Sequence, residues 1–166
     1  WLYRTVDGGF VPQSDIDEAR RDLPPRIFRQ EYEASFEVLA GRVFEEFSRE
    51  YQAKGGHVVA ASELPAHFNE VAIGIDWGFT HPGVAAALGD AGGKVVIAAE
   101  EFHREFRIPQ WEAALTRMKV RFPGARWFAD PSRPDLIASF SESVGITIEP
   151  AVNDVMEGIL EVMKLV

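Results

Sequence analysis

The chain has 166 residues, 46% of them hydrophobic and 26% charged, so it is large enough for a globular domain with a buried core and lacks the composition of a disordered chain. It contains no cysteine, which excludes disulfides and thiolate metal sites and leaves oxygen and imidazole ligands for any metal ion. A formal net charge of −9 argues against a general attraction to nucleic acid or anionic lipid, although a local basic groove is compatible with it.

The first 47 residues carry two helical patterns. The segment DIDEARRDL has apolar residues at helical spacing and is ended by Pro24 and Pro25. The segment RIFRQEYEASF then places Phe28, Tyr32 and Phe36 four residues apart on one helix face. Together they predict a small helical segment, packed as a pair of antiparallel helices.

Residues 48–70 show no regular period and contain Gly55, Gly56 and Pro65, so we interpret them as a linker. No apolar run reaches the roughly 18 residues that a membrane helix needs, and the first residues lack a signal-peptide pattern. We therefore expect a soluble, intracellular protein with no membrane partner.

From residue 71 onward the pattern predicts strands and helices in the order βββαβαβα. The predicted strands are VAIGID, GVAAALGD, VVIAAEEF, ARWFADPS and ITIEPAV, and the predicted helices are IPQWEAALTRMKVRF, PDLIASFSESVG and NDVMEGILEVMKLV. Short turns join the first three strands, which are expected to be antiparallel. Strands four and five each follow a helix and should run parallel to a neighbour. The expected fold is α/β, a mixed sheet with flanking helices.

Two aspartates end predicted strands of this sheet. Asp76 lies at the C-terminal end of strand one, and Asp130 lies at the C-terminal end of strand four. Ligands of open α/β sheets collect beyond the carboxyl ends of the strands, and two carboxylates held together there require a cation to stay charged at neutral pH. Mg²⁺ suits oxygen ligands of this kind. Each aspartate alone is equally compatible with a turn or a helix cap; the pair on adjacent strand ends is the informative feature.

Other side chains are weaker candidates. Asp154 begins the final helix, where an acid also favours the helix dipole, and Glu100 and Glu101 end strand three, where adjacent glutamates are usually solvated. Gly78 marks a position where a side chain would obstruct the turn or a ligand. Basic residues at strand and helix ends are candidates for phosphate contacts or a solvated face. They are Arg104, Arg107, Arg117, Lys119, Arg121, Arg126 and Arg133.

The ordered segments FRQEYEASF, GRVFEEF, IGIDWGFTHPGVAAALGD, EEFHRE, WFADPSRPDLI and NDVMEGI resemble the large terminase subunit of tailed bacteriophages. The resemblance covers nearly the whole chain. It implies that residues 1–47 correspond to the end of the ATPase domain, 48–70 to the linker, and 71–166 to an RNase H-like nuclease domain that is incomplete at its C-terminal side.

This resemblance implies a metal-dependent endonuclease that cuts concatemeric viral DNA during genome packaging by two-metal hydrolysis. Asp76 and Asp130 would bind Mg²⁺ or Mn²⁺, with Asp154 as a further candidate ligand, and the family's third aspartate is expected beyond residue 166. Double-stranded DNA, the portal protein and the small terminase subunit would be partners, in the cytoplasm of the infected bacterial host. No GxxxxGK[ST] motif occurs, so ATP hydrolysis by that route is not expected.

Three rival interpretations stay open. One is a related RNase H-like nuclease, such as a junction resolvase or a transposase. Asp76, Gly78 and Thr80 also match the DxGxT phosphate loop of the actin, heat-shock chaperone and sugar-kinase ATPases, although no second glycine-rich phosphate loop accompanies it. Alternatively, the chain is a non-catalytic docking module of the packaging motor, which its acidity would suit.

Overall fold

The computed structural model describes residues 5–9, 11–23, 28–29, 32–33, 43–44 and 47–165. The chain divides into two compact units, one of residues 1–59 with 155–166 and one of residues 60–154. The helices are α1 (Thr5–Gly8), α2 (Gln13–Asp22), α3 (Ile108–Arg121), α4 (Pro134–Val144) and α5 (Val155–Met163), and the strands are β1 (Val71–Asp76), β2 (Gly83–Asp90), β3 (Val95–His103), β4 (Arg126–Ala129) and β5 (Ile148–Pro150). No helix in this described part of the chain is long and apolar enough to cross a membrane.

The first unit contains α1, α2 and α5. Helix α2 confirms the first predicted helix and buries Ile16. Phe28 and Tyr32 of the second predicted helix stack with ring centroids 5.0 Å apart, whereas Phe36 lies outside the described residues.

The second unit contains one mixed sheet with strand order β3-β2-β1-β4-β5. Strands β1, β2 and β3 pair antiparallel, and β4 and β5 add in parallel, each after a crossover helix. The predicted order and direction of all five strands are therefore confirmed. Strands β1, β3, β4 and β5 all end on the same side of the sheet, which we call its carboxyl end.

One face of this sheet carries the hydrophobic core, and we call it the helix face. Its side chains come from alternating positions of the strands, because successive residues of a strand point to opposite faces. Helices α3 and α4 pack on it with large apolar side chains. The core includes Ile73, Ile75, Ala85, Ala87, Trp127, Ala129 and Ile148 from the strands and Trp111, Leu115, Met118 and Phe140 from the helices.

The opposite face, which we call the acid face, is more exposed. On β3 it leaves Ile97 65% exposed and Phe102 57% exposed. The register between β2 and β3 shifts at Ala87 and Leu88, so Ala98 forms a bulge. An Arg121 guanidinium nitrogen donates to the Ala98 carbonyl oxygen at 3.0 Å, which ties α3 to this irregular point of β3.

We predict that Phe140→Ala lowers the free energy of unfolding by about 3–5 kcal/mol, because its side chain is fully buried and stacks on Trp77 with centroids 5.4 Å apart. Urea denaturation followed by circular dichroism measures the loss. Phe102→Ala is the matched control and should cost less than about 1 kcal/mol, since that ring is exposed. Equal losses in the two variants would contradict this description of the core.

Candidate metal centre

Asp76 and Asp130 lie side by side at the carboxyl end of the sheet. Asp76 is the last residue of β1, and Asp130 directly follows β4. The parallel ladder between these strands ends with Ile75 opposite Ala129. One more hydrogen bond, from the Asp130 N–H to the Ile75 carbonyl oxygen at 3.0 Å, extends the ladder. The two aspartates therefore occupy neighbouring strand ends, as the sequence predicts.

The side-chain alternation explains why a buried strand ends on a carboxylate. Ile75 and Ala129 are buried on the helix face, so the residue after each belongs to the acid face. Asp76 is exposed and Asp130 is half-buried. Both carboxylates thus lie on the face opposite the apolar core, because each aspartate comes one residue after a core side chain.

The two carboxyl groups have different electrostatic surroundings. Nearby protein atoms reduce the hydration of the Asp76 carboxyl group; this desolvation and, second, the negative charge of Asp130 raise the pKa of Asp76 above its ordinary value. The Ser132 hydroxyl donates to Asp130 Oδ2 at 2.6 Å, and the Ser132 N–H donates to Oδ1 at 3.0 Å. These two hydrogen bonds lower the pKa of Asp130. Asp130 is therefore the more readily ionised member of the pair.

A further contact to Asp130 comes from the segment after β5. The Ala151 N–H donates to the Ala129 carbonyl oxygen at 2.8 Å and continues the sheet. Two residues later, the Asn153 side-chain amide donates to Asp130 Oδ1 at 3.5 Å. Sequence reasoning missed this role of Asn153, since no spacing links it to Asp130. The role of Ser132 has a local signal, because an aspartate often accepts from the backbone two residues on.

The loop from 77 to 82, between β1 and β2, is tightly closed beside Asp76. A Cβ on Gly78 would lie 2.5 Å from the carbonyl oxygens of both His81 and Pro82, so the turn itself requires glycine here. Trp77 stacks on Phe140 and meets Trp111 edge to face, which makes it a packing residue. Its Nε1 is buried with no hydrogen-bond partner among the described residues.

The other acidic candidates do not join this pair in a cluster of three acids among the described residues. Glu101 Oε2 is 2.7 Å from His103 Nε2, and Glu101 Oε1 accepts from Arg117 at 2.8 Å, so this carboxylate is engaged by other groups. Glu100 is exposed on β3, and Asp154 is exposed just before α5. Within the described ranges, no three His, Asp or Glu side chains form a group that could hold a metal ion.

The pair fits a hard divalent cation by its chemistry. It offers carboxylate oxygens, the donors that Mg²⁺ and Mn²⁺ prefer, at an exposed position. The two negative charges are close enough for the charge of Asp130 to raise the pKa of Asp76, and a cation between them would relieve that repulsion.

No protein-family model matches the chain. It is 27% identical over 150 residues to the large terminase subunit of Escherichia phage T5, an alignment that covers 88% of this chain and 34% of that protein. The chain thus spans about a third of the length of this curated relative.

Solved structures show the same fold. A large terminase from a thermophilic bacteriophage superposes with a TM-score of 0.70 at 18% identity, covering 96% of this chain and 39% of that one. The P22 large terminase nuclease domain superposes with a TM-score of 0.53 at 18% identity, covering 76% and 68%. The predicted RNase H-like fold is confirmed, and so is the resemblance of this chain to the large terminase subunits of bacteriophages.

Proposed function

We propose that residues 71–166 belong to the metal-dependent endonuclease domain of a phage large terminase subunit, with residues 1–47 as the end of an ATPase domain and 48–70 as the linker. The observation that carries the proposal is the pairing of Asp76 and Asp130 on adjacent strand ends. The resemblance to large terminases supports it independently, and the carboxylate oxygens of the pair are donors suited to Mg²⁺ or Mn²⁺.

The substrate would be a DNA phosphodiester. Asp76 and Asp130 would hold Mg²⁺ or Mn²⁺, with Asp154 as a further proposed ligand. Divalent ions in such a site neutralise charge on the phosphate and lower the pKa of water, which is the chemistry that two-metal hydrolysis requires. Ser132 and Asn153 would keep the Asp130 carboxylate in one orientation through their hydrogen bonds.

In the infected bacterial host, this activity would cut concatemeric viral DNA in the cytoplasm during genome packaging. Double-stranded DNA, the portal protein and the small terminase subunit are the proposed partners. These assignments concern the whole terminase, of whose T5 counterpart this chain spans about a third.

We predict that Asp76→Asn and Asp130→Asn each reduce Mg²⁺- or Mn²⁺-dependent nicking of supercoiled plasmid by at least about 100-fold, because each variant removes one carboxylate ligand. Gel analysis of relaxed plasmid measures the rate. Glu142→Gln, which removes an exposed acid of α4, is the control and should nick at the wild-type rate. Wild-type activity in both aspartate variants would remove the assignment.

The raised pKa of Asp76 predicts a pH-dependent cost to stability. A carboxyl group whose pKa is higher in the folded than in the unfolded state loses stability as pH rises from the unfolded value through the folded value, and the loss persists above it. Asp76→Asn should therefore raise the melting temperature in EDTA at pH 7 by about 1–2 °C, a gain that disappears in acid. Adding Mn²⁺ should stabilise the wild type more than the variant.

Asp135→Asn provides a control of opposite sign for this thermal experiment. The Arg133 guanidinium lowers the pKa of Asp135, so this substitution should lower the melting temperature at pH 7. A fall in melting temperature for Asp76→Asn at pH 7 would contradict the repulsion between Asp76 and Asp130.

A further inference from the structure

The contacts of the basic side chains divide the seven candidates into three groups. Arg117 pairs with Glu101 at 2.8 Å, and Arg133 pairs with Asp135 at 2.7 Å. These two guanidinium groups are therefore neutralised by acids of the same unit.

Three more are held by backbone or aromatic groups. Lys119 donates to the carbonyl oxygens at the end of α4, at 2.8 and 3.0 Å. Arg121 donates to the bulge at Ala98, and Arg126 lies over the Phe128 ring at 4.9 Å from its centroid. These three side chains therefore already make contacts within the folded domain.

Arg104 and Arg107 remain. Both are exposed in the turn between β3 and α3, and no acidic side chain of the described residues pairs with either. Because β3 ends at the carboxyl end of the sheet, this turn lies on the same side as Asp76 and Asp130. Their two positive charges are thus on the side of the proposed metal centre.

The turn is joined to the loop that follows Asp76. The Glu105 N–H donates to the Phe79 carbonyl oxygen at 2.9 Å, and Glu105 adopts a left-handed backbone with φ of 56°. A Cβ on Gly78 would collide with the carbonyl oxygens of His81 and Pro82, so the loop closes tightly just before Phe79. This loop presents the Phe79 side chain 56% exposed, three residues after Asp76.

We propose that Phe79, Arg104 and Arg107, here named the rim, bind the DNA strand beside the cleaved phosphodiester. This inference rests on the proposed nuclease function. The two guanidinium groups contact phosphates, and Phe79 stacks on an unpaired base. A phenyl ring has no hydrogen-bonding group, so it recognises the face of a base, which is accessible only where the base has left the duplex stack.

Glu105 is part of the same turn and opposes phosphate binding. The rim arginines contribute two positive charges and Glu105 one negative charge, so the turn keeps a net charge of +1. Replacing this acid by glutamine should therefore strengthen DNA binding, a change opposite in direction to that of the arginine variants.

Binding to fluorescein-labelled DNA, measured by anisotropy in EDTA at low ionic strength, tests the rim without cleavage. Two duplexes of the same length are compared, one fully paired and one with a short unpaired stretch at its centre. Phe79→Ala should weaken binding to the unpaired duplex about tenfold and change binding to the paired one less than about twofold. Phe79→Trp should retain or strengthen the binding.

Arg104→Ala and Arg107→Ala should each weaken binding to both duplexes and lower the slope of log affinity against log salt by about 1. Arg126→Ala removes the same charge at the opposite end of the sheet and should leave both affinities unchanged. Tyr51→Ala, which removes an aromatic ring that is 54% exposed in the other unit, should also have no effect.

Equal losses on both duplexes in Phe79→Ala would overturn base stacking, and an Arg126→Ala loss as large as that of Arg104→Ala would overturn the rim. A wild-type chain that binds neither duplex would also overturn it. The nuclease proposal is tested separately, by the nicking activity of Asp76→Asn. If the wild type nicks DNA and Phe79→Ala binds the unpaired duplex as tightly as the wild type does, the rim proposal alone is refuted.

Discussion

One hydrogen bond, from the Asp130 N–H to the Ile75 carbonyl oxygen, fixes the place where the two candidate ligands meet. It is the last rung of a parallel ladder, and a parallel pair can form only if the chain crosses back over the sheet. Helix α3 makes that crossing and covers the helix face with Trp111, Leu115 and Met118. The position of the carboxylates therefore depends on the packing of this helix.

The two faces of the sheet have separate physical tasks. The helix face supplies the apolar burial that stabilises the domain, including the stack of Trp77 on Phe140. The acid face holds Asp76, whose charged form is disfavoured by loss of solvation and, second, by the negative charge of Asp130, so its pKa is raised. Functional sites commonly contain charged groups that destabilise the unbound protein, because ligand binding offsets this loss of stability.

Much of this arrangement is predictable from local sequence. Apolar runs and turns indicate the strands, and the crossover rule indicates their direction, so the pairing of Asp76 with Asp130 follows. Strand β5 is shorter than its apolar run because the Ile146 N–H donates to the Ser141 carbonyl oxygen at the end of α4 instead of joining the sheet. Such a choice between helix cap and strand depends on tertiary contacts.

The basic side chains show the limit of sequence reasoning more clearly. Arg104, Arg117 and Arg121 have the same local character, yet their partners are determined by residues far away in the chain. Arg117 pairs with a glutamate 16 positions earlier, and Arg121 with a carbonyl 23 positions earlier. Only folding separates the structural arginines from those left without an acidic partner in the described ranges.

Strand β3 forms a border of the described sheet, and a border strand offers free backbone groups to a second molecule. The bulge at Ala98 interrupts that row, and Arg121 already occupies the Ala98 carbonyl oxygen. A strand from a second molecule would have to pair with a bent edge on which the Ala98 carbonyl oxygen already accepts a hydrogen bond. The bulge therefore disfavours edge-to-edge association through β3, even though the neighbouring Ile97 side chain is largely exposed to water.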